Sequence, residues 1–154
     1  GPREVGRLFA YVGVVAAVVQ GGLIGPATRR WGEARVVVLG LCGLVIGFAA
    51  MPLAQNMTVL LVATALLAGG FGLCNPALNS LISRRASSGS QGAVLGMAQS
   101  CASLARILGP AFAGMVFGTW GRHAPYLIGA ALLLIAIAIA WRMVRVSDSA
   151  APES

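Results

Sequence analysis

Residues 36–83 read VVVLGLCGLVIGFAAMPLAQNMTVLLVATALLAGGFGLCNPALNSLIS, without one charged side chain. At about 1.5 Å of rise per residue the run is too long for a single membrane-crossing helix and about right for two. The break is legible in its middle. Pro52 cannot donate to a helical ladder, Gln55-Asn56 is polar, and Thr58 suits the start of a new helix. Helices are predicted over about 36–54 and 58–82.

Charge punctuates the rest of the chain in the same way. Leu8 to Thr28 is uncharged and gives one span, about 8–28. The loop Arg29-Arg30-Trp31-Gly32-Glu33-Ala34-Arg35 follows it. Beyond Ser83, the polar stretch Arg84 to Gln91 leads into a fourth span at about 92–119. A turn through Gly121-Arg122-His123 leads to a fifth, about 124–141, ended by Arg142 and Arg145. One domain is expected over 1–147, with a disordered cytoplasmic tail over 148–154.

Hydrophobic residues make up 58 % of the chain and charged residues 10 %, against about a quarter charged in soluble domains. So few charges cannot cover a water-facing surface, and the solvent for most of the chain is expected to be lipid. The runs do not alternate at period two and are about twice too long for barrel strands. The class is therefore all-α integral membrane with five transmembrane helices.

Net charge is +7, and all 11 basic residues are arginine. They sit between apolar runs, not on a basic or aromatic-rich surface, so no nucleic-acid partner is expected. Arg29, Arg30, Arg35, Arg84, Arg85, Arg142 and Arg145 collect on one side of the membrane; Arg3, Arg7 and Arg122 collect on the other. The positive-inside rule puts the first set, and the C-terminus, in the cytoplasm. Trp31, Trp120, Tyr126 and Trp141 fall at span ends, where aromatic belts belong.

The fourth span carries a charge near its middle. On a helix, Gly92, Gly96, Gln99, Ser103, Arg106, Pro110 and Gly114 share one narrow face. That face is small, polar and cationic. An arginine at this depth costs roughly 3 kcal/mol or more on insertion scales, which makes Arg106 a functional candidate by default. Gly21/Gly25, Gly43/Gly47 and Gly114/Gly118 are GxxxG pairs, and Thr64, Ala68, Gly72, Asn75 and Asn79 form a stripe on the third span. Backbones approach closely along such faces.

Cys42, Cys74 and Cys101 lie inside apolar runs at spacings that fit no metal site. No metal and no cofactor are expected. No Asp, Glu or His falls inside a span, and neither HExxH nor GxSxG occurs. An intramembrane enzyme is therefore not expected.

Taken in order, these stretches resemble the major facilitator superfamily. Gly25-Pro26-Ala27-Thr28-Arg29-Arg30-Trp31-Gly32-Glu33-Ala34-Arg35 resembles the short cytoplasmic loop after that family's eighth helix. Arg29 stands where the family has aspartate, and Glu33 where it has arginine. Asn75-Pro76-Ala77-Leu78-Asn79 resembles the end of the tenth helix. Gln91 to Gly114 resembles the eleventh helix of the tetracycline-efflux-like drug/proton antiporters, with Gly109-Pro110 and Gly114 echoing the antiporter motif.

The resemblance implies helices eight to twelve of twelve, in a bacterial inner membrane. Its partners would be the bilayer, the six-helix N-terminal half of the same polypeptide, a small-molecule substrate and protons. The start lacks an initiator methionine, in keeping with a piece of a longer chain. The implied function is drug efflux by alternating access. Alternatives are a symporter or sugar-type facilitator of the same superfamily, or a non-catalytic membrane assembly subunit.

Candidate site residues follow in three groups. Gln20, Asn75, Asn79, Gln99, Ser103 and Arg106 either line a substrate cavity or hydrogen-bond between helices and to freed carbonyls. Gly109, Pro110 and Gly114 form either a hinge or an ordinary kink. Gly25, Arg29, Arg30, Gly32, Glu33 and Arg35 either latch a cytoplasmic gate through charge pairs or simply obey the positive-inside rule. With no carboxylate in any span, proton coupling is expected outside these residues.

Overall fold

The computed structural model describes residues 2–87 and 89–149. Every regular element among them is helical. The helices are α1 (Pro2–Val18), α2 (Ile24–Trp31), α3 (Glu33–Ala50), α4 (Met57–Arg85), α5 (Gln91–Trp120) and α6 (Ala124–Ser149). Five segments are long and apolar enough to cross a membrane: Val5–Trp31, Glu33–Leu53, Met57–Arg85, Gln91–Trp120 and Ala124–Arg142. The protein is a multi-pass membrane protein, and its described residues form an all-α bundle. Its outward side chains fit that solvent: Phe9 is 74 % exposed and Ile107 71 %, a liability in water and ordinary against acyl chains.

The first span is continuous but not uniform. A π-helical turn, Val19–Leu23, joins α1 to α2, with the Ile24 N–H reaching back to the Val19 carbonyl. Pro26 explains the need for slack. It has no N–H for the Gly22 carbonyl, and its ring crowds that carbonyl in a regular helix. A single wide turn absorbs the misfit without breaking the span.

The corner after α2 is narrower than the loop suggested by its arginines. Helix α2 runs through Arg29, Arg30 and Trp31, and α3 starts at Glu33. Gly32 alone makes the break, at φ 79° and ψ 158°, a backbone shape only glycine holds easily. Arg29 and Arg30 thus sit in a helix C-terminal turn and Glu33 in a helix N-terminal turn, each matched in sign to the local dipole.

The break between the second and third spans also differs in detail. Met51–Leu53 closes α3 as a 3₁₀ turn around Pro52. Asn56, not Thr58, caps α4: its backbone is extended and its side chain accepts from the Val59 N–H at 2.9 Å. Asparagine is the better cap of the two, and it comes first along the chain. At the far end, α6 continues past Trp141 through Arg142, Arg145 and Asp148 to Ser149. The expected tail is thus helical at its first two residues, and 150–154 lie outside the described residues.

The bundle is held where small residues let backbones meet. Gly40 on α3 faces Gly70 on α4 so closely that a Cβ on Gly40 would lie 2.7 Å from the Gly70 carbonyl oxygen. Gly43 and Gly47 continue that contact against Leu66, Gly70 and Leu67. Val36, Val37, Val38 and Leu41 of α3, Ala77 of α4, and Ala140 and Val144 of α6 form the buried core beside it. Lipid offers no hydrophobic drive between helices, so close van der Waals contact supplies the cohesion. The other two GxxxG pairs do not share this role: Gly21, Gly25, Gly114 and Gly118 have no neighbour within reach of a Cβ.

The π-helical turn packs on α4 through Val19, whose side chain lies 3.2 Å from the space a Cβ on Gly72 would fill. Helix α5 touches the bundle along a thin stripe. Gln91, Val94, Leu95, Ala98 and Ala102 are half-buried, Val116 is buried, and most other positions are exposed.

Candidate functional site

Helix α5 positions the most costly side chain. Arg106 is exposed, and its guanidinium Nε donates to the Ala102 carbonyl of its own helix at 3.2 Å. The side chain therefore lies back along the helix toward Gln91, as long helical side chains do. Pro110, one turn on, has no N–H for the carbonyl of Arg106, so that carbonyl loses its helical partner. Charge and unpaired carbonyl fall on the same turn. Among the described residues no carboxylate pairs with Arg106.

Gln99, Ser103, Pro110 and Gly114 share the exposure of Arg106. Their face lies roughly 100° around the helix from the packed stripe. The packed stripe and the polar face are thus separate, and the face opposite the polar one carries Met97, Leu104 and Leu108, all more than half exposed. One side suits lipid, one side suits the bundle, and the polar side suits neither. Gly109 and Gly114 have open space around them.

A second polar strip lies between α1 and α4. Gln20 sits inside the π turn, and its Cγ is 3.6 Å from the space beside Gly72, one turn before Asn75. Asn75 and Asn79 are exposed on α4. Pro76 lies between them and frees the Gly72 carbonyl on the same stretch. The structure thus brings Gln20 beside the α4 stripe. Among the described residues no hydrogen bond joins that strip to Gln99, Ser103 or Arg106. Thr64, at the other end of the stripe, bonds back to the Leu60 and Leu61 carbonyls of its own helix.

The corner at Gly32 carries the charge pairing. Glu33 Oε1 lies 3.0 Å from Arg84 Nε and accepts a hydrogen bond from the Ser80 hydroxyl at 3.4 Å. This ties the start of α3 to the end of α4. Glu33 is mostly covered, while the Arg84 side chain is 73 % exposed, so the pair contributes no more than about 1 kcal/mol. Arg29, Arg30 and Arg35 are exposed, and Gly25 stands in open space. Sequence reasoning missed Ser80 and Arg84 as partners of Glu33. It also missed the π turn, for which Gly21-Gly22 four residues before Pro26 is the available signal.

The Major Facilitator Superfamily profile matches residues 1–154. The chain belongs to the major facilitator superfamily. It is 30 % identical over 137 residues to the class C tetracycline resistance protein of Escherichia coli, covering 86 % of this chain and 34 % of that protein. It is 31 % identical over 139 residues to multidrug resistance protein 2 of Bacillus subtilis (strain 168), covering 90 % and 34 %. The class G tetracycline resistance protein of Vibrio anguillarum is 34 % identical over 140 residues, covering 88 % and 35 %. No solved structure matches. The chain spans about a third of the length of the curated relatives it matches.

Proposed function

We propose that this chain supplies helices eight to twelve, most of the C-terminal half, of a proton-coupled tetracycline- or multidrug-efflux antiporter of a bacterial inner membrane. The C-terminus lies in the cytoplasm, in line with the arginine distribution. The two halves rock around a shared midplane site. The protein moves a small molecule and performs no covalent chemistry. The protons are carried by the partner half, since Glu33, the one carboxylate in the membrane-crossing segments of the described residues, stands at the very start of its span and is paired with Arg84.

The observation that carries this reading is the free polar face of α5. A mid-span arginine, with Gln99 and Ser103 on its side, stands away from both the packed stripe and the lipid-suited face. Such a face fits the wall of an aqueous substrate path, with Arg106 meeting an anionic group of the substrate or a carboxylate of the other half. Gly109-Pro110 supplies the bend beside it. Gln20, Asn75 and Asn79 line the neighbouring wall, and the Glu33–Arg84 pair holds the cytoplasmic corner.

The test is Arg106→Ala in the full-length protein. Drug resistance and efflux are expected to fall to background while the protein inserts and elutes normally. Full efflux by that variant would remove Arg106 from the path.

A further inference from the structure

At the end of the bundle away from the Gly32 corner, a cleft opens where α3 and α5 end and α6 begins. It has two lobes, and both include Phe117 and Tyr126. The deeper lobe, about 370 Å³, is lined by the rings of Phe48, Phe117 and Tyr126. The Phe48 and Tyr126 rings stand 6.4 Å apart, tilted by 47°. The second lobe, about 580 Å³, adds the polar side chains of Gln55, Arg122 and His123. Arg122 Nε donates to His123 Nε2 at 3.1 Å. That bond uses one of the five guanidinium N–H groups and leaves both Nη atoms as donors.

The cleft continues the polar face of α5. On that helix Arg106, Pro110, Ala113 and Phe117 fall within roughly 60° of one another. Ala113 and Phe117 line the aromatic lobe. Phe117 stands about 16 Å along the helix from Arg106, half the thickness of the hydrocarbon core. The second and fourth spans close at this level, at Leu53 and Trp120, and the fifth opens at Ala124. A molecule moving outward from Arg106 along that face therefore meets three rings and then a second arginine. An apolar lobe with a few polar groups converging at one end is the usual make-up of a small-molecule site. Rings on its walls suit a flat π-system, stacked or edge-on. A guanidinium at its mouth suits an anionic oxygen.

We infer that this cleft binds a planar aromatic anion, and that it is a second station for the transported molecule at the outer end of its path. The ring system sits among Phe48, Phe117 and Tyr126, and the ionised oxygen meets Arg122. The two lobes select this class together. Ring walls favour a flat π face, and the cation beside them favours an anion over a neutral ring. Arg106 and Arg122 offer the same partner at two depths, so one ligand chemistry serves both. The place on a transport path rests on the function proposed above; the binding of an aromatic anion does not.

The test reads the cleft locally. Ala54, which lines the polar lobe, is changed to cysteine in a full-length protein whose Cys42, Cys74 and Cys101 are alanine. Its reaction with a water-soluble maleimide is followed in detergent, with naphthoate or the neutral naphthylmethanol added. Naphthoate is expected to slow the reaction at roughly tenfold lower concentration than the alcohol. Phe117→Ala is expected to raise the protecting concentration of naphthoate roughly tenfold. Arg122→Gln should do the same and Arg122→Lys should restore most of the protection. Trp120→Phe, at the same end of the bundle and outside the lining, should change nothing. Equal protection by the two probes, or none by naphthoate, overturns the inference. So do Phe117→Ala and Arg122→Gln variants that elute as the unchanged protein does and keep full protection. A cysteine at Ala54 that reacts only after unfolding shows the lobe covered by the rest of the polypeptide, and also overturns it. Arg106→Ala separates this site from the function proposed above: it is expected to stop efflux and keep the protection by naphthoate. Full efflux there overturns that function and leaves the site standing, whereas protection lost there and kept in Phe117→Ala and Arg122→Gln overturns the site alone.

Discussion

Helices α3 and α5 are built from similar residues and live in opposite surroundings. Helix α3 carries Gly40, Gly43 and Gly47 on one face, and α4 fills the space above all three. Helix α5 carries Gly92, Gly96, Gly109, Gly114 and Gly118, and none has a neighbour within reach of a Cβ. Glycine on α3 buys backbone contact and cohesion. On α5, small residues leave room around a cationic side chain. The difference teaches that a stripe of small residues has no single meaning: in α3 it is a seam, and in α5 it is an open wall.

The largest expected effect lies in the seam. Gly40→Leu places a side chain against the Gly70 carbonyl and the Cys74 backbone, neither of which can step aside. Destabilisation of roughly 3 kcal/mol is expected, read as loss of monodisperse protein in detergent and a sharply lower thermal midpoint. Gly96→Ala, in open space on α5, should change stability by no more than about 0.5 kcal/mol. Equal damage from the two would erase the contrast.

A second expectation reverses the roles. Arg106→Ala should abolish efflux and leave the thermal midpoint where it was, because the side chain bonds only to its own helix among the described residues. A large fall in midpoint would make Arg106 a structural residue. Third, Gly47→Ala sits between the extremes. A Cβ there would lie 2.8 Å from the Leu67 side chain and 3.1 Å from the Leu67 backbone nitrogen, so a loss of about 2 kcal/mol is expected, below that of Gly40→Leu. Smallest is Glu33→Gln, which removes the charge facing an exposed Arg84. About 0.5 kcal/mol or less should be lost at moderate salt, and nothing at high salt. A loss of several kcal/mol would mean that the corner is far more buried than the exposed arginine indicates.

Much of the architecture is legible from charge and hydropathy alone. The uncharged run from Val36 to Ser83 reads as two spans because its length exceeds one bilayer and Pro52 and Asn56 interrupt it. Arg106 is legible as a site candidate because its cost in hydrocarbon is local and needs no partner to be recognised. The belonging to a transporter family is legible from the order of short patterns around Gly32, Pro76 and Pro110.

What was hidden is non-local. Glu33 and Arg84 are distant in sequence, and no periodicity links them. The GxxxG spacing occurs three times, yet only Gly43/Gly47 meets a neighbour, because the pattern states what a face permits and not what covers it. The π turn depends on how one helix absorbs Pro26 while packing Val19 against Gly72, a compromise between local and tertiary demands. Gly32 carries a whole corner alone because one residue with positive φ can reverse the chain where a loop of seven seemed necessary.

The most direct measurement compares two neighbouring positions on α5. Cysteine is placed at Ser103 or at Leu104 in a full-length protein whose Cys42, Cys74 and Cys101 are replaced by alanine. Reaction with a membrane-impermeant, water-soluble maleimide is then followed in inverted membrane vesicles, with and without tetracycline. Ser103→Cys is expected to react readily and to be slowed by the drug, while Leu104→Cys stays unreactive against lipid. Rapid labelling of Leu104→Cys with Ser103→Cys inert would place the polar face of α5 away from any substrate path and contradict the account.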